Sequence, residues 1–166
     1  MSQALSSAPP APIGGDDHVR GAGAAAIIYL DLACPRCAGL WAGIRGLPLR
    51  ICVRHFPVAS KRPRSPALHA AAEAAALQSE QAFWALWDSL LEDRAHVDDP
   101  HLWERVERLG LDVGRFDRDR RSDAVAERVG RDFRSGIRAG VTATPAAFVD
   151  AEAVRGELPE ALEALT

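Results

Sequence analysis

Several things are scarce in this sequence of 166 residues. Lysine occurs once, at Lys61, so almost every cation is an arginine. With a net charge of −3 and no basic stripe, the chain lacks the electrostatic footprint that nucleic-acid binding requires. No segment is both long and apolar. The stretch "AGAAAIIYLDLA" is too short and too rich in alanine to cross a bilayer. The N-terminus "MSQALSSAPPAPIGGDDH" has no basic region followed by an apolar core, so it does not read as a secretory leader. Together these absences place the chain in the cytoplasm, with no nucleic-acid and no membrane partner. Aromatics are only 6%, so alanine inflates the hydrophobic fraction of 48%. Such alanine and arginine usage is that of a GC-rich bacterial genome.

Cysteine is scarce too, with three: Cys34, Cys37 and Cys52. Cys34 and Cys37 form a single CxxC, read as Cys34-Pro35-Arg36-Cys37. In a reducing compartment such a pair is catalytic or metal-binding rather than a structural staple. A structural zinc needs four ligands. Cys52 falls within an apparent strand, and His55 and His69 do not make a second ligand pair. No metal and no cofactor are expected. Among His96, Asp98, Asp99 and His101, loop and helix-cap roles outweigh a metal site. Cys52 reads as a small buried apolar residue.

What is present organises as one domain. A chain of this length buries roughly 70% of its unfolded surface. Residues 1–16, rich in Ala, Ser, Pro and Gly, read as a disordered arm. Ala25–Leu32 reads as a buried strand. A helix is expected from the CxxC, with Pro35 in its first turn, where a missing N–H costs nothing. Leu49–Phe56 alternates apolar and polar residues as a second strand that Pro57 stops. From about residue 64 to 139 the pattern is helical. Leu102, Trp103, Val106 and Leu109 are expected to face inward, and Val125, Val129, Phe133 and Ile137 recur every four residues. "TPAAFVD" and "AVRGE" read as a hairpin, followed by a closing helix. No internal repeat is evident.

Four stretches carry a resemblance: "DHVRG" (Asp17 to Gly21), "CPRC", "RHFP" (Arg54 to Pro57) and "VTATPAAFV" (Val141 to Val149). With them the chain resembles the DsbA-like thiol–disulfide oxidoreductases of the thioredoxin-fold superfamily. The resemblance spans about residues 17–166. It implies an α/β thioredoxin-like fold, a central mixed sheet flanked by helices, with a helical insertion at about 64–139 between the second and third strands. It also implies a cis bond at Thr144-Pro145, with Pro145 packed against the CxxC and Thr144 presenting backbone groups to an extended substrate.

The chemistry of the pair follows from its placement. A thiolate is the attacking species, and a free cysteine near pKa 8.5 is mostly protonated at neutral pH. At a helix N-terminus, Cys34 meets orphan N–H donors and the positive end of the dipole, and Arg36 adds a cation. Cys37, one turn on, is more buried. Cys34 is therefore the nucleophile and Cys37 the resolving thiol. Asp31, three residues before Cys34, is either a proton acceptor for Cys37 or a polar residue at a strand end. The expected activity is thiol–disulfide exchange with dithiol or disulfide protein substrates, or with small thiols. A redox partner or small thiol would recycle the pair. The alternative is a redox-silent thioredoxin-fold interaction module.

Departures from the family pattern are local. Ala143 stands where glycine is common, and the segment from Cys37 to Arg54 is short. Val149-Asp150-Ala151-Glu152 lacks the usual Asn-Gly, so a different hairpin turn is expected.

Overall fold

The computed structural model describes residues 7–166. Among them the elements are β1 (His18–Arg20), β2 (Ala24–Leu30), α1 (Pro35–Ile44), β3 (Leu49–His55), α2 (Ser65–Ala76) and α3 (Glu80–Glu92). They continue with α4 (Asp99–Arg108), α5 (Val113–Asp119), α6 (Asp123–Arg138), β4 (Ala146–Val149), β5 (Glu152–Ala153) and α7 (Leu158–Glu163). The strands form one mixed sheet in the order β1-β3-β2-β4-β5. β2 runs parallel to β3, as its helical crossover requires, and antiparallel to β4. This is the thioredoxin-like architecture.

The continuous apolar run of β2 arises because both faces of this strand are buried. Ala26, Ile28 and Leu30 pack into the larger core with Leu40, Trp41, Leu86 and Trp87. Ile27 and Tyr29 point to the opposite face, against Cys52, Phe56 and Phe148. The α6 helix covers that second face through Phe133.

Four expectations are corrected. β1 is an additional strand, too short for a periodic signal, so the helical insertion lies between the third and fourth strands. Its following Gly21 has φ +82°, and a Cβ there would stand 2.2 Å from the Leu49 carbonyl oxygen, so only glycine fits. The arm is not disordered over the residues described; residues 1–6 lie outside them. Ala8 N–H donates to Arg138 O, and the buried Arg54 guanidinium donates to Ala11 O at 2.8 Å. A buried guanidinium needs acceptors, and the arm supplies them.

Fewer residues face inward than the helical periodicity predicts. Leu102 and Val106 are buried, but Trp103 and Leu109 are exposed. On α6, Val125 and Val129 are buried and Ile137 is exposed. A four-residue repeat drifts about 40° per step against a helix of 3.6 residues per turn. Three steps carry Ile137 off the buried stripe.

The last correction concerns the β4–β5 hairpin. Val149 pairs with Glu152, so the loop has two residues, Asp150 and Ala151, with φ of 50° and 67°. This is the left-handed two-residue turn that normally recruits Asn-Gly, here built without glycine. An alanine held in that region costs about 1–2 kcal/mol. Ala151→Gly is accordingly expected to stabilise the protein by about 1 kcal/mol. Equilibrium denaturant unfolding checks this through a higher midpoint at an unchanged slope.

Candidate active site

β2 ends at Leu30 and delivers Asp31, Leu32 and Ala33 as a turn into α1. Cys34 caps that helix in an extended conformation; its N–H donates to Asp31 O at 3.0 Å and its carbonyl accepts the Ala38 N–H. Pro35 occupies the first turn, where its missing N–H has no intrahelical partner to lose. Cys37 falls one turn on and faces the core. Both cysteines are buried and unbridged.

The two sulfurs are electrostatically unequal. The Cys37 thiol, foremost, holds the Cys34 thiol down to about 5 against the opposing effect of burial. The Cys37 N–H, Thr144 and the Arg62 charge add to this. Burial, together with the neighbouring Cys34, pushes the Cys37 thiol far up; the Asp31 N–H, 3.4 Å from its sulfur, offsets only part of this. Cys52 lies on the other face of the sheet, and burial pushes its thiol up to about 12. It takes no part in the pair.

The opposite wall of the site is the Thr144-Pro145 loop, brought next to Cys34 from 110 residues away. The Thr144–Pro145 peptide bond is cis. Cys34 Sγ–H donates to Thr144 O at 3.7 Å. Thr144 Oγ1 is buried without a hydrogen-bond partner in this thiol state, and it lowers the pKa of both sulfurs. It is a donor waiting for an anion. Ala143 is not among the residues with positive φ, so no glycine is needed there.

Asp31 is fully buried and saturated. Oδ1 accepts from Ala33 N–H at 2.9 Å and Ser65 Oγ–H at 2.5 Å. Oδ2 accepts from Val58 N–H at 3.0 Å and Arg62 Nη1 at 3.1 Å. Burial alone would raise its pKa, yet the neighbouring His69 ring, and after it the Ser65 and Ala33 hydrogen bonds, hold the carboxyl well below the ordinary carboxylate range. A carboxylate so held is a poor base, and Asp31 meets Cys37 through its backbone N–H rather than its side chain.

Arg36 is exposed and lines a groove of about 480 Å³ running between α1, the Pro145 loop, β4 and α7. The cation acting on Cys34 is Arg62, which no local pattern singled out because it lies in the loop after β3. Its only sequence signal is the basic run Lys61-Arg62-Pro63-Arg64. The His96–His101 region is accounted for by capping and surface pairs: Asp98 caps α4 through the His101 N–H, and Asp99 pairs with Arg64 and Arg120.

Alkylation of Cys34 followed against pH should therefore show a midpoint near 5, with the rate flat above it and falling below, because only the thiolate reacts. Arg62→Met should shift that midpoint upward. An unshifted midpoint would assign the effect to the Cys37 thiol, the Cys37 N–H and Thr144 without Arg62.

The chain matches the family described as the DSBA-like thioredoxin domain over residues 39–163, a span that begins two residues past Cys37. Among solved structures it is similar to a thioredoxin-like oxidoreductase from Silicibacter pomeroyi DSS-3. That likeness has a TM-score of 0.79 at 20% identity and covers 92% of this chain and 91% of that one. It is also similar to oxidised BdbD from Bacillus subtilis, with a TM-score of 0.78 at 16% identity over 96% of each chain. A curated relative, a Na(+)/H(+) antiporter NhaA from Herminiimonas arsenicoxydans, is 39% identical over 149 residues. Those residues are 84% of this chain and 23% of the antiporter, so the chain spans about a quarter of that relative's length. The cytoplasmic expectation is corrected here: the matched structures include DsbA-type exchange proteins, a type that works mostly outside the cytoplasm. Among the described residues, no helix is long and apolar enough to cross a membrane. The chain belongs to the DSBA-like thioredoxin domain family, whose members are thiol–disulfide oxidoreductases.

Proposed function

We propose that the chain exchanges disulfides with protein or small-thiol substrates through Cys34 and Cys37, and that it runs mainly as a dithiol oxidant. The observation that carries this is the inequality of the two thiols: Cys34 is held down to about 5 and Cys37 is driven up. A stabilised Cys34 thiolate stabilises the reduced pair, so the Cys34–Cys37 disulfide is a strong electron acceptor.

In the oxidising direction, a substrate thiolate attacks Cys34 Sγ in the disulfide. The S–S bond breaks and Cys37 leaves, and the proton it takes up, as its high pKa demands, is the equivalent of the one the second substrate thiol gives up. A mixed disulfide now joins Cys34 to the substrate. The second substrate thiol, as thiolate, attacks the substrate sulfur and expels Cys34 as its low-pKa thiolate. Two electrons pass from the substrate dithiol to the pair, and one disulfide forms as another is lost. In reverse, the Cys34 thiolate opens a substrate disulfide and Cys37, after losing its proton, resolves the adduct. After oxidation of a substrate, the disulfide of a redox partner takes the two electrons and restores the Cys34–Cys37 disulfide; in reverse, a redox partner or small thiol supplies two electrons and restores the dithiol.

The chain's own residues serve this sequence in distinct ways. Thr144 Oγ1–H and the Cys37 N–H meet the Cys34 thiolate as donors. Once Cys34 has no S–H to donate, Thr144 O is released from it and can pair with substrate backbone. The groove beside Pro145, lined by Arg36, Leu40, Val141, Phe148 and Leu158, suits an extended peptide with apolar side chains. Asp31 acts as the anchor of the turn rather than as a base.

Exchange with a reduced protein substrate tests this reading. Cys34→Ser should abolish turnover. Cys37→Ser, offered a substrate disulfide instead, should leave Cys34 reactive and accumulate a mixed disulfide that a thiol reductant releases. Full turnover in Cys34→Ser, or none in the unaltered chain, would refute it.

A further inference from the structure

Four buried polar side chains take no part in the exchange chemistry: His18 on β1, His55 on β3, and His69 and Glu73 one turn apart on α2. Their hydrogen bonds form a single file. Leu32 N–H donates to His69 Nε2 at 3.0 Å. His69 Nδ1 stands 2.7 Å from His55 Nδ1, and His55 Nε2 stands 2.5 Å from Glu73 Oε1. The same Glu73 oxygen is 2.8 Å from His18 Nε2, and His18 Nδ1 reaches the exposed Glu80 Oε2 at 2.8 Å. Phe83 stacks on the His18 ring at 3.6 Å and holds it in place.

One placement of protons satisfies every hydrogen bond of this file; Asp31 Oδ1, 3.7 Å from His69 Nε2, stands beyond hydrogen-bond length. An amide N–H can only donate, so His69 Nε2 is bare and its proton sits on Nδ1. His55 Nδ1 must then accept, which leaves the His55 proton on Nε2, aimed at Glu73. Glu73 can only accept, so it meets His18 Nε2–H as well as His55 Nε2–H. The charges agree with this order. Burial holds His69 down to about 4, hence neutral. The hydrogen bonds of His18 and His55 outweigh burial and keep Glu73 ionised, and Glu73 and Glu80 outweigh burial to raise His18.

A metal reading fits less well. His18, His55 and Glu73 offer three ligand atoms within 4.8 Å of one another, a donor set zinc accepts. Tetrahedral ligands about 2.0–2.1 Å from a zinc stand roughly 3.3 Å apart. The 2.5 and 2.8 Å separations here are hydrogen bonds.

We propose that His69 is a positioning residue for the active-site turn, and that Glu73, acting through His55, fixes the tautomer that lets it serve. The inner end of the file grips Leu32, two residues before Cys34. The adjoining Asp31 backbone donates to Cys37 Sγ and accepts from Cys34 N–H. With the proton on His69 Nε2 instead, two donors would face each other at Leu32 and this grip would be lost.

The activity readout rests on the disulfide-exchange reading above, so a second readout is independent of turnover. In the full chain, Glu73→Gln should slow exchange at pH 7 by about five-fold, the worth of one hydrogen bond. His69→Gln, whose amide oxygen can still accept from Leu32, should stay within about two-fold of the unaltered chain. Adding Glu73→Gln to that background should slow exchange no further, although it lowers the melting temperature in both backgrounds. Imidazole ¹⁵N NMR should show His69 protonated at Nδ1 in the unaltered chain and mixed in Glu73→Gln. Equal slowing in both backgrounds, a His69 proton on Nε2, or stoichiometric bound zinc lost in His18→Gln would overturn the proposal. Absence of exchange in the unaltered chain would instead count against the exchange reading, with NMR still deciding the tautomer.

Discussion

The buried carboxylate of Asp31 is the point on which the site depends. Its two oxygens tie together the turn entering α1 through Ala33, the loop after β3 through Val58 and Arg62, and the first residue of α2 through Ser65. An ionised group with no exposed surface is tolerable only with its acceptor capacity filled, and four donors fill it. The arrangement has two consequences. It locks the backbone that places Cys34 at a helix start, and it brings the Arg62 charge to bear on the same sulfur. Removing one donor leaves part of a buried charge uncompensated, so the anchor and the electrostatics of the site are one construction.

Around that anchor the fold makes two chemically identical thiols unlike each other. Cys34 meets donors: the Cys37 thiol and amide, Thr144, and the field of Arg62. Cys37 meets mostly apolar core. The CxxC supplies the largest part of this difference through the Cys37 thiol and amide, and the fold adds the rest, since Thr144 comes from the far end of the chain and Arg62 from a separate loop. The antiporter relatives match this chain over about a quarter of their length, so a stretch similar to this chain stands within larger proteins.

Much of this was legible in sequence, for physical reasons that differ by residue. The β2 strand announced itself through an unbroken apolar run, and the α4 start through Asp98, whose side chain does cap that helix. Cys34, Cys37 and the Thr-Pro pair were legible because each carries its chemistry in its residue type. What sequence could not show depends on approach between distant segments. Arg62 looks like any loop arginine until the loop folds over Asp31. Arg54 draws the arm down because a buried guanidinium needs carbonyls, a demand invisible along the chain. His18, His55, His69 and Glu73 lie within three separate stretches, and only the sheet and α2 bring them into file. Asp150 and Ala151 show the opposite failure: the composition argued against a left-handed turn, and strand pairing imposed one regardless.

The central claim is that the fold stabilises the thiolate of Cys34, and with it the reduced form of the pair. Equilibrating the chain with glutathione buffers and measuring the Cys34–Cys37 reduction potential tests this most directly. A potential less negative than about −200 mV, on the oxidising side of the glutaredoxin range, is the predicted result. A value near or below about −270 mV, the thioredoxin range, would mean that the disulfide rather than the thiolate is the favoured state, and would contradict the account.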